Sequence, residues 1–323
     1  MTLKYCTELP EQIVCIDTGY GRDQLDAAYL VRAGERAAFV DTGTHHCVPR
    51  LLGALDYYGI PRAHVDYVIP THVHLDHAGG AGELMRQLPQ ARLIAHPRAA
   101  PHLIDPSRLI AGTSAVYGEA GFRQRFGEVV PVSAERVIEA PDGFTLELDG
   151  RPLVFVDSPG HARHHFCVYD ARSRGFFAGD TFGVSFREFD TEKGAFIFAT
   201  TTPPQFDPDA WYHTLERLLA HEPQRMYVTH FGCVEEVARL AGELRRSIRE
   251  FSDIALEVAS VGEAGRARMA ERMFESLLQG LRAHGCHLPQ AQTRELLRLD
   301  VELNAQGLDV WRERRRKAST GAR

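Results

Sequence analysis

The sequence lacks the features that secreted and membrane-spanning proteins need. Its 6 cysteines are scattered over 323 residues with no CxxC pair, which argues against a disulfide scaffold and predicts reduced thiols. No apolar run reaches the length of about 18 residues that spans a bilayer. Residues 1–10 hold one lysine and no apolar stretch of the kind found in secretion signals. We therefore expect a cytoplasmic protein without a membrane partner.

An excess of positive charge is also missing. The 37 lysines and arginines are outnumbered by 43 acidic residues, and the formal net charge of −6 argues against a nucleic-acid footprint over the whole surface. Residues 312–317 form one basic run, Arg-Glu-Arg-Arg-Arg-Lys, which we interpret as a solvated helix end with a flexible tail. The charge balance therefore argues against a nucleic-acid partner, and we expect the partner to be a small-molecule substrate.

The chain is long enough for one large domain or two ordinary ones, and its pattern changes near residue 235. Before that point, short β-type runs alternate with helical stretches such as residues 48–58. From Cys233 onward the β signal ends, and Val237, Leu240 and Leu244 recur at helical spacing. Two more helices are predicted over residues 263–283 and 289–315. The predicted strands cover residues 13–16, 27–31, 37–40, 65–69, 91–95, 145–148, 153–156, 175–178 and 226–229.

This change of pattern predicts an α/β catalytic domain over residues 1–235 and a helical region over residues 236–323 that packs on it. The apolar stripes of the helices suit either a cover over an active-site cleft or the face of a homodimer. The sequence does not choose between these two roles.

Four metal-ligand side chains follow the strand predicted at residues 65–69 within six positions: His72, His74, Asp76 and His77. In an extended chain His72 and His74 point to the same side and can share an ion, while the turn that follows directs Asp76 and His77 at a neighbouring point. A closed structural zinc site would instead use cysteines at CxxC-like spacing. The segment therefore predicts two half-sites of a catalytic centre, whose ligands suit zinc, iron or manganese.

Later strands supply further ligand candidates at their C-terminal ends. His161 closes Ser-Pro-Gly-His, Asp180 closes Phe-Ala-Gly-Asp, and His230 closes Tyr-Val-Thr-His. A catalytic ion needs about three protein ligands and one open position. These three residues are therefore predicted to complete the centre.

In this order, His-x-His-x-Asp-His, Pro-Gly-His, Gly-Asp and Thr-His resemble the ligand series of metallo-β-lactamase-fold hydrolases, and the match covers about residues 10–235. The resemblance implies the αββα four-layer sandwich of that family, an α/β fold, here with a C-terminal helical extension. It also implies two divalent metal ions, for which zinc is the favoured identity and iron or manganese are alternatives.

Carried over by position, the resemblance assigns each candidate ligand to an ion. It implies that His72, His74 and His161 hold the first ion, that Asp76, His77 and His230 hold the second, and that Asp180 bridges both. The turn Val40-Asp41-Thr42-Gly43 is similar to one beneath the metals in that family. Asp41 is therefore expected to support ligand geometry without touching metal.

The implied chemistry is hydrolysis. Two ions about 3.5–4 Å apart can share one water, lower its pKa toward 7 and deliver hydroxide, and Asp76 is predicted to act beside that hydroxide. Among glyoxalase-II-like thioesterases, which match all seven positions, a Gly-Cys-Gly stretch follows the bridging aspartate. This chain reads Thr-Phe-Gly after Asp180, which disfavours glutathione, and classical metallo-β-lactamases carry cysteine in place of Asp180. We predict an ester or thioester substrate.

Three alternatives stay open. The same centre suits a lactonase or a phosphodiesterase of this fold. The chain also resembles the persulfide dioxygenases, which bind a single iron through two histidines and an aspartate. Finally, the fold could serve as a sensor that binds a ligand or a partner through its helices.

Aromatic residues are dense in two insertions, residues 97–132 and 182–206. Tyr117, Phe122, Phe182 and Phe186 are therefore candidates for contact with the substrate. Packing of the insertions onto the core is expected equally, because a lid must itself be packed.

Overall fold

The structure is a computed structural model that describes residues 3–321, with side chains through residue 318. Its strands are β1 (Cys6–Leu9), β2 (Ile13–Asp17), β3 (Ala27–Ala33), β4 (Arg36–Val40), β5 (Val65–Ile69), β6 (Arg92–Ala95), β7 (Val137–Glu139), β8 (Thr145–Leu148), β9 (Arg151–Asp157), β10 (Phe166–Asp170), β11 (Gly175–Gly179), β12 (Arg225–Val228) and β13 (Gly232–Val234). Its helices are α1 (Val48–Tyr58), α2 (Leu75–Ala78), α3 (Ala81–Gln87), α4 (Ala100–Ile104), α5 (Ser107–Phe126), α6 (Pro208–Leu219), α7 (Val237–Glu257), α8 (Gly262–His284) and α9 (Gln290–Gly321).

Two mixed sheets contain these strands. The first runs in the order β1 to β7, antiparallel through β4 and parallel from β4 to β7. The second has the order β13-β12-β11-β10-β9-β8, in which β11 and β12 form the parallel pair. Because β4 and β5 are parallel neighbours, the residues that follow both strands emerge at the same edge of the sheet.

Alternation along each strand divides the apolar residues between two cores. In β2, Ile13 and Cys15 face a core shared with Phe155 and Phe177 of the second sheet, which shows that the two sheets pack face to face. On the opposite face of the first sheet, Val14 and Ile16 pack in a core that includes Leu51 of α1, Leu84 of α3 and Leu103 of α4. Helices therefore cover the outer face of the first sheet.

The chain divides into two compact units. The first holds the residues up to Ser158, His164–Gly179 and His221–Glu235, and so contains both sheets and α1 to α5. The second holds Pro159–Arg163, Asp180–Ala220 and the residues from Glu236 onward, with α6 to α9. Two segments that precede residue 235 thus group with the C-terminal helices.

The second unit confirms the three C-terminal helices that the apolar spacing predicts. Leu240 and Leu244 of α7 and Met269 and Met273 of α8 are fully buried, and α8 and α9 pack on one another and on α7. Helix α9 continues to Gly321, so the basic run 312–317 lies inside a helix. There, Arg312 donates hydrogen bonds to the Val258 carbonyl and to Asp309.

One sequence prediction about the strands is wrong. The β signal does not end at Cys233, because Gly232–Val234 forms β13 at the edge of the second sheet and pairs with β12. Within residues 3–321, no helix combines the length and the apolar character needed to cross a bilayer.

Candidate metal centre

The histidine segment follows β5 and runs into the one-turn helix α2, which contains Asp76 and His77. Asp41 anchors the start of the segment. Asp41 directly follows β4, with a left-handed φ of 57°. Its Oδ1 accepts a hydrogen bond from the backbone nitrogen of Thr71 at 2.7 Å, and its Oδ2 accepts one from the Thr71 hydroxyl at 3.1 Å. The parallel pairing of β4 and β5 explains this contact, because it brings both strand ends to one edge.

The same carboxylate orients His77. Asp41 Oδ2 lies 2.8 Å from His77 Nδ1 and 2.7 Å from the Thr229 hydroxyl. Asp41, His77 and Thr229 are all buried. A proton on Nδ1 satisfies the carboxylate, which leaves Nε2 as the nitrogen that can bind a metal.

Asp76, His77 and His230 form a group that could hold a metal ion, with ligand atoms within 4.8 Å of one another. The Asp76 carboxylate is 3.6 Å from His230 Nε2 and 4.0 Å from His77 Nε2. His230 Nδ1 is fixed by the Leu25 carbonyl at 2.8 Å. Three ligand side chains match the number that a catalytic ion needs.

His72 and His74 lie beside this group, and other histidines pack around them. The ring of His72 is 4.4 Å from that of His74 and 4.1 Å from that of His77, between centroids. His165 is fully buried and stacks on His72 at 4.8 Å, while His164 lies 5.7 Å from His74. These contacts give His164 and His165 a packing role around the segment.

Gly179 is required for this packing. It precedes Asp180 with a φ of +49°, and a Cβ there would come within 2.6 Å of both His165 Nε2 and Thr71 Oγ1. Only glycine satisfies both the left-handed backbone and the missing space.

The second unit brings His161 and Asp180 together. His161 Nε2 lies 3.3 Å from Asp180 Oδ2, and His161 Nδ1 is held by the Thr200 carbonyl at 3.0 Å. Trp211 packs against the loop that carries His161, with ring centroids 6.1 Å apart. Its indole nitrogen donates to the Thr181 carbonyl at 2.6 Å, which fixes the residue after Asp180.

The donor set fits divalent metal ions. His77, His161 and His230 each have Nδ1 next to an oxygen acceptor, from Asp41, Thr200 and Leu25. This arrangement of a second partner on the far nitrogen is the one that metal-binding imidazoles use, because it fixes the tautomer and the ring orientation. Imidazole with carboxylate suits zinc, iron and manganese.

The predicted substrate residues of the first unit, Tyr117 and Phe122, lie on α5 beside the histidine segment. They belong to a small apolar cluster with Phe126 and Leu75 of α2. Burial and the charge of Asp76 raise the pKa of Tyr117. Tyr20, which the sequence did not single out, belongs to the same cluster, and its pKa is raised by burial and by Asp76.

Phe182 and Phe186 lie in the interior of the second unit. Phe182 is 0% and Phe186 is 1% exposed, and Phe186 packs against Phe189 and Phe198 with centroids 6.0 and 5.8 Å away. The structure gives them a packing role, and contact with a substrate stays a prediction.

Comparison with known proteins identifies the family. The sequence profile of the Metallo-beta-lactamase superfamily matches residues 22–230, and the chain belongs to this superfamily. The Metallo-beta-lactamase fold-containing protein ST1585 of Sulfurisphaera tokodaii is 26% identical over 221 residues, which are 68% of this chain and 78% of that protein. The crystal structure of ST1585 from Sulfolobus tokodaii matches with a TM-score of 0.62 at 21% identity, over 85% of this chain and 100% of that one. The predicted sandwich fold with C-terminal helices is confirmed.

Two relatives are thioesterases by name. The Atrochrysone carboxyl ACP thioesterase of Emericella nidulans is 22% identical over 240 residues, 74% of this chain and 62% of that protein. The Acyl-coenzyme A thioesterase MBLAC2 of Gallus gallus is 27% identical over 162 residues, 47% of this chain and 56% of that protein. The chain thus spans less than two thirds of the length of either thioesterase.

Proposed function

We propose that the chain is a metal-dependent hydrolase of acyl thioesters, with esters as the neighbouring class. Three findings support the proposal: membership of the superfamily, the oriented histidines, and the two relatives whose names specify thioesters of coenzyme A and of a carrier protein. The observation that carries it is the buried Asp41 carboxylate on His77 Nδ1 at 2.8 Å, because a carboxylate in this position fixes the tautomer and ring orientation that a metal-binding imidazole needs.

In this proposal the candidate ligands divide into two sets. His72, His74, His161 and Asp180 would hold one ion, and Asp76, His77 and His230 would hold the other. Bound divalent ions, zinc first and iron or manganese as alternatives, would supply a Lewis acid for the thioester carbonyl and lower the pKa of water.

The chain's own residues orient the ligand histidines and form an apolar cluster beside them. Asp41, Leu25 and Thr200 hold the proton of an imidazole at Nδ1, so that each Nε2 points away from its support. Asp76 lies beside the apolar cluster of Leu75, Tyr117 and Phe122, which we propose contacts the acyl chain. Phe182 and Phe186 would act by packing the residues that follow Asp180.

The test is a substrate panel of thioesters, lactones and phosphodiesters, assayed with His72→Ala, Asp180→Ala and the exposed His213→Ala as a matched control. We expect hydrolysis of thioesters, a loss of at least a hundredfold in the first two variants, and wild-type rates in the third. A preference for lactones or phosphodiesters would overturn the proposed substrate class. Full activity in both His72→Ala and Asp180→Ala would reject the proposed metal site.

A further inference from the structure

A basic cluster that this chemistry does not use lies beside the loop that carries His161. Gln205 Oε1 accepts a hydrogen bond from the backbone nitrogen of Arg163 at 2.7 Å. The carbonyl of Phe206, the next residue, accepts one from the guanidinium of Arg314 on α9. Two successive residues therefore contact the backbone of Arg163 in the ligand loop and the guanidinium of Arg314 on α9, and the side chain of Arg163 is exposed.

Packing fixes this segment relative to the ligand loop. The backbone nitrogen of Asp207 donates to the Gly160 carbonyl at 2.8 Å. The Phe206 ring lies 5.7 Å from Trp311 of α9 and 6.0 Å from Trp211, which itself packs on His161. The aromatic contacts connect α9 to the predicted ligand, so the backbone of Arg163 and the guanidinium of Arg314 lie on the same short segment beside it.

Positive charge is concentrated here. Burial and then the charge of Arg163 lower the pKa of Arg314, while Asp207 opposes them. Arg315 adds a third guanidinium, 5.3 Å from the centre of the Trp311 ring.

The nearby acids of α9 are engaged with other cations. Asp309 pairs with Arg312 at 2.7 Å, and Glu313 pairs with Lys317 at 2.9 Å. A cluster of arginines held together in this way suits an anion with more than one charge, since the guanidinium fork matches phosphate oxygens in pairs.

We propose that Arg163 and Arg314 bind phosphate groups on the leaving thiol of the substrate. The substrate class is then an acyl thioester of a phosphate-bearing thiol, with the phosphates on the basic cluster and the thioester at the ligand loop. The inference rests on the proposed thioesterase function for its catalytic part, whereas phosphate binding can be measured by itself.

The binding experiment uses coenzyme A as the probe and the tryptophan fluorescence of the full chain as the readout. The chain has 2 tryptophans, and both pack against Phe206. We expect a saturable fluorescence change whose Kd rises with salt, and rises about tenfold in Arg163→Gln and in Arg314→Gln, as loss of a charge-assisted hydrogen bond predicts. The matched control is Arg246→Gln, which removes an exposed arginine of α7 and should leave the Kd within about twofold. An unchanged Kd in both cluster variants, or no saturable binding, would overturn the proposal.

The kinetic experiment compares acyl-coenzyme A with acyl-phosphopantetheine and acyl-pantetheine, which carry successively fewer phosphates down to none. In Arg163→Gln we expect KM to rise about tenfold for acyl-coenzyme A and to stay unchanged for acyl-pantetheine, with kcat within about twofold throughout. Arg163→Lys should recover part of the loss because it keeps the charge. An equal rise of KM for all three thioesters would show a structural effect and overturn the proposal.

The two proposals fail in different ways. If wild-type protein binds coenzyme A through both arginines and hydrolyses no thioester, the phosphate site stands and the thioesterase function is rejected. If it hydrolyses all three thioesters with the same KM, the function stands and the phosphate site is rejected.

Discussion

Asp41 and His77, both buried, are joined by a hydrogen bond of 2.8 Å between Oδ2 and Nδ1. The same carboxylate accepts hydrogen bonds from Thr71 and Thr229, so one group connects the end of β4 with the histidine segment and with the end of β12. The Asp41 side chain therefore both orients a predicted ligand, His77, and links the residues that follow β4 and β12.

Replacing that carboxylate should weaken metal binding more than it weakens the fold. In Asp41→Asn the amide cannot accept from His77, Thr71 and Thr229 as the carboxylate does, so we expect metal affinity to fall about 10- to 100-fold. Competition with a coloured chelator measures this affinity. The control is Asp56→Asn, an exposed aspartate of α1. Equal affinities in the two variants would contradict the orienting role of Asp41.

Gly179→Ala should destabilise the protein and disturb the histidines. The added Cβ would lie 2.6 Å from His165 Nε2 at a φ of +49°, and a left-handed residue alone costs about 1–3 kcal/mol. Thermal unfolding should show a lower Tm. Gly112→Ala in α5 is the matched control, since a Cβ there meets nothing within 4 Å and alanine favours a helix. A Tm as high in Gly179→Ala as in the control would rule out this crowding.

Removing one partner of the buried pair of Arg151 and Asp170 should strongly destabilise the protein. The two side chains are 1% and 0% exposed, with Nη2 and Oδ2 2.5 Å apart, and Arg151 also donates to the Glu11 and Arg32 carbonyls. Asp170→Asn leaves a buried charge without its counter-charge, which costs about 3–5 kcal/mol.

Urea unfolding of Asp170→Asn measures this loss, with Glu271→Gln as its control. Glu271 pairs with Arg294 at 2.7 Å on the surface, and such pairs contribute about 0–1 kcal/mol. Similar losses in the free energy of unfolding in the two variants would show that breaking the buried pair costs no more than breaking the surface pair.

Cys6 should respond to pH only in alkaline solution. Burial raises the pKa of its thiol to about 11, although Arg50 lowers it in part. The unfolded chain ionises this thiol first, so its contribution to folding stability is present below pH 9 and is lost between pH 9 and about 11. Iodoacetamide labelling with peptide mapping should find Cys6 unlabelled at pH 8 in folded protein and labelled in urea. In Cys6→Ala the alkaline loss of stability should shrink, and rapid labelling of folded protein at pH 8 would contradict the raised pKa.

Elements with a clear periodic pattern could be predicted from the sequence, and short elements could not. Helices α1, α7 and α8 begin and end within a few residues of their apolar stripes, and β2 to β6 match the predicted runs. Strand β13 has only 3 residues, too few for an alternating pattern. Its pairing with β12 decides its conformation, and pairing is a tertiary property.

In the site, the candidate ligands could be predicted from their motifs, and most of the groups that orient them could not. The spacing of His72 to His77 and the Asp-Thr-Gly turn are visible as motifs. The supports of the ligands lie far away in sequence: Thr229 is 188 residues from Asp41, and Leu25 is 205 residues from His230. Asp41 and Leu25 lie beside strands of the first sheet, and Thr229 and His230 follow a strand of the second, so only the packing of the two sheets brings them together. Tyr20 likewise reaches the apolar cluster through tertiary packing.

Metal content of the purified chain, measured together with oxygen consumption, tests the central claim most directly. The two ligand sets predict about two divalent ions per chain, a lower content in Asp180→Ala, unchanged content in His213→Ala and no oxygen uptake. One iron per chain with oxygen consumption would contradict a binuclear hydrolase.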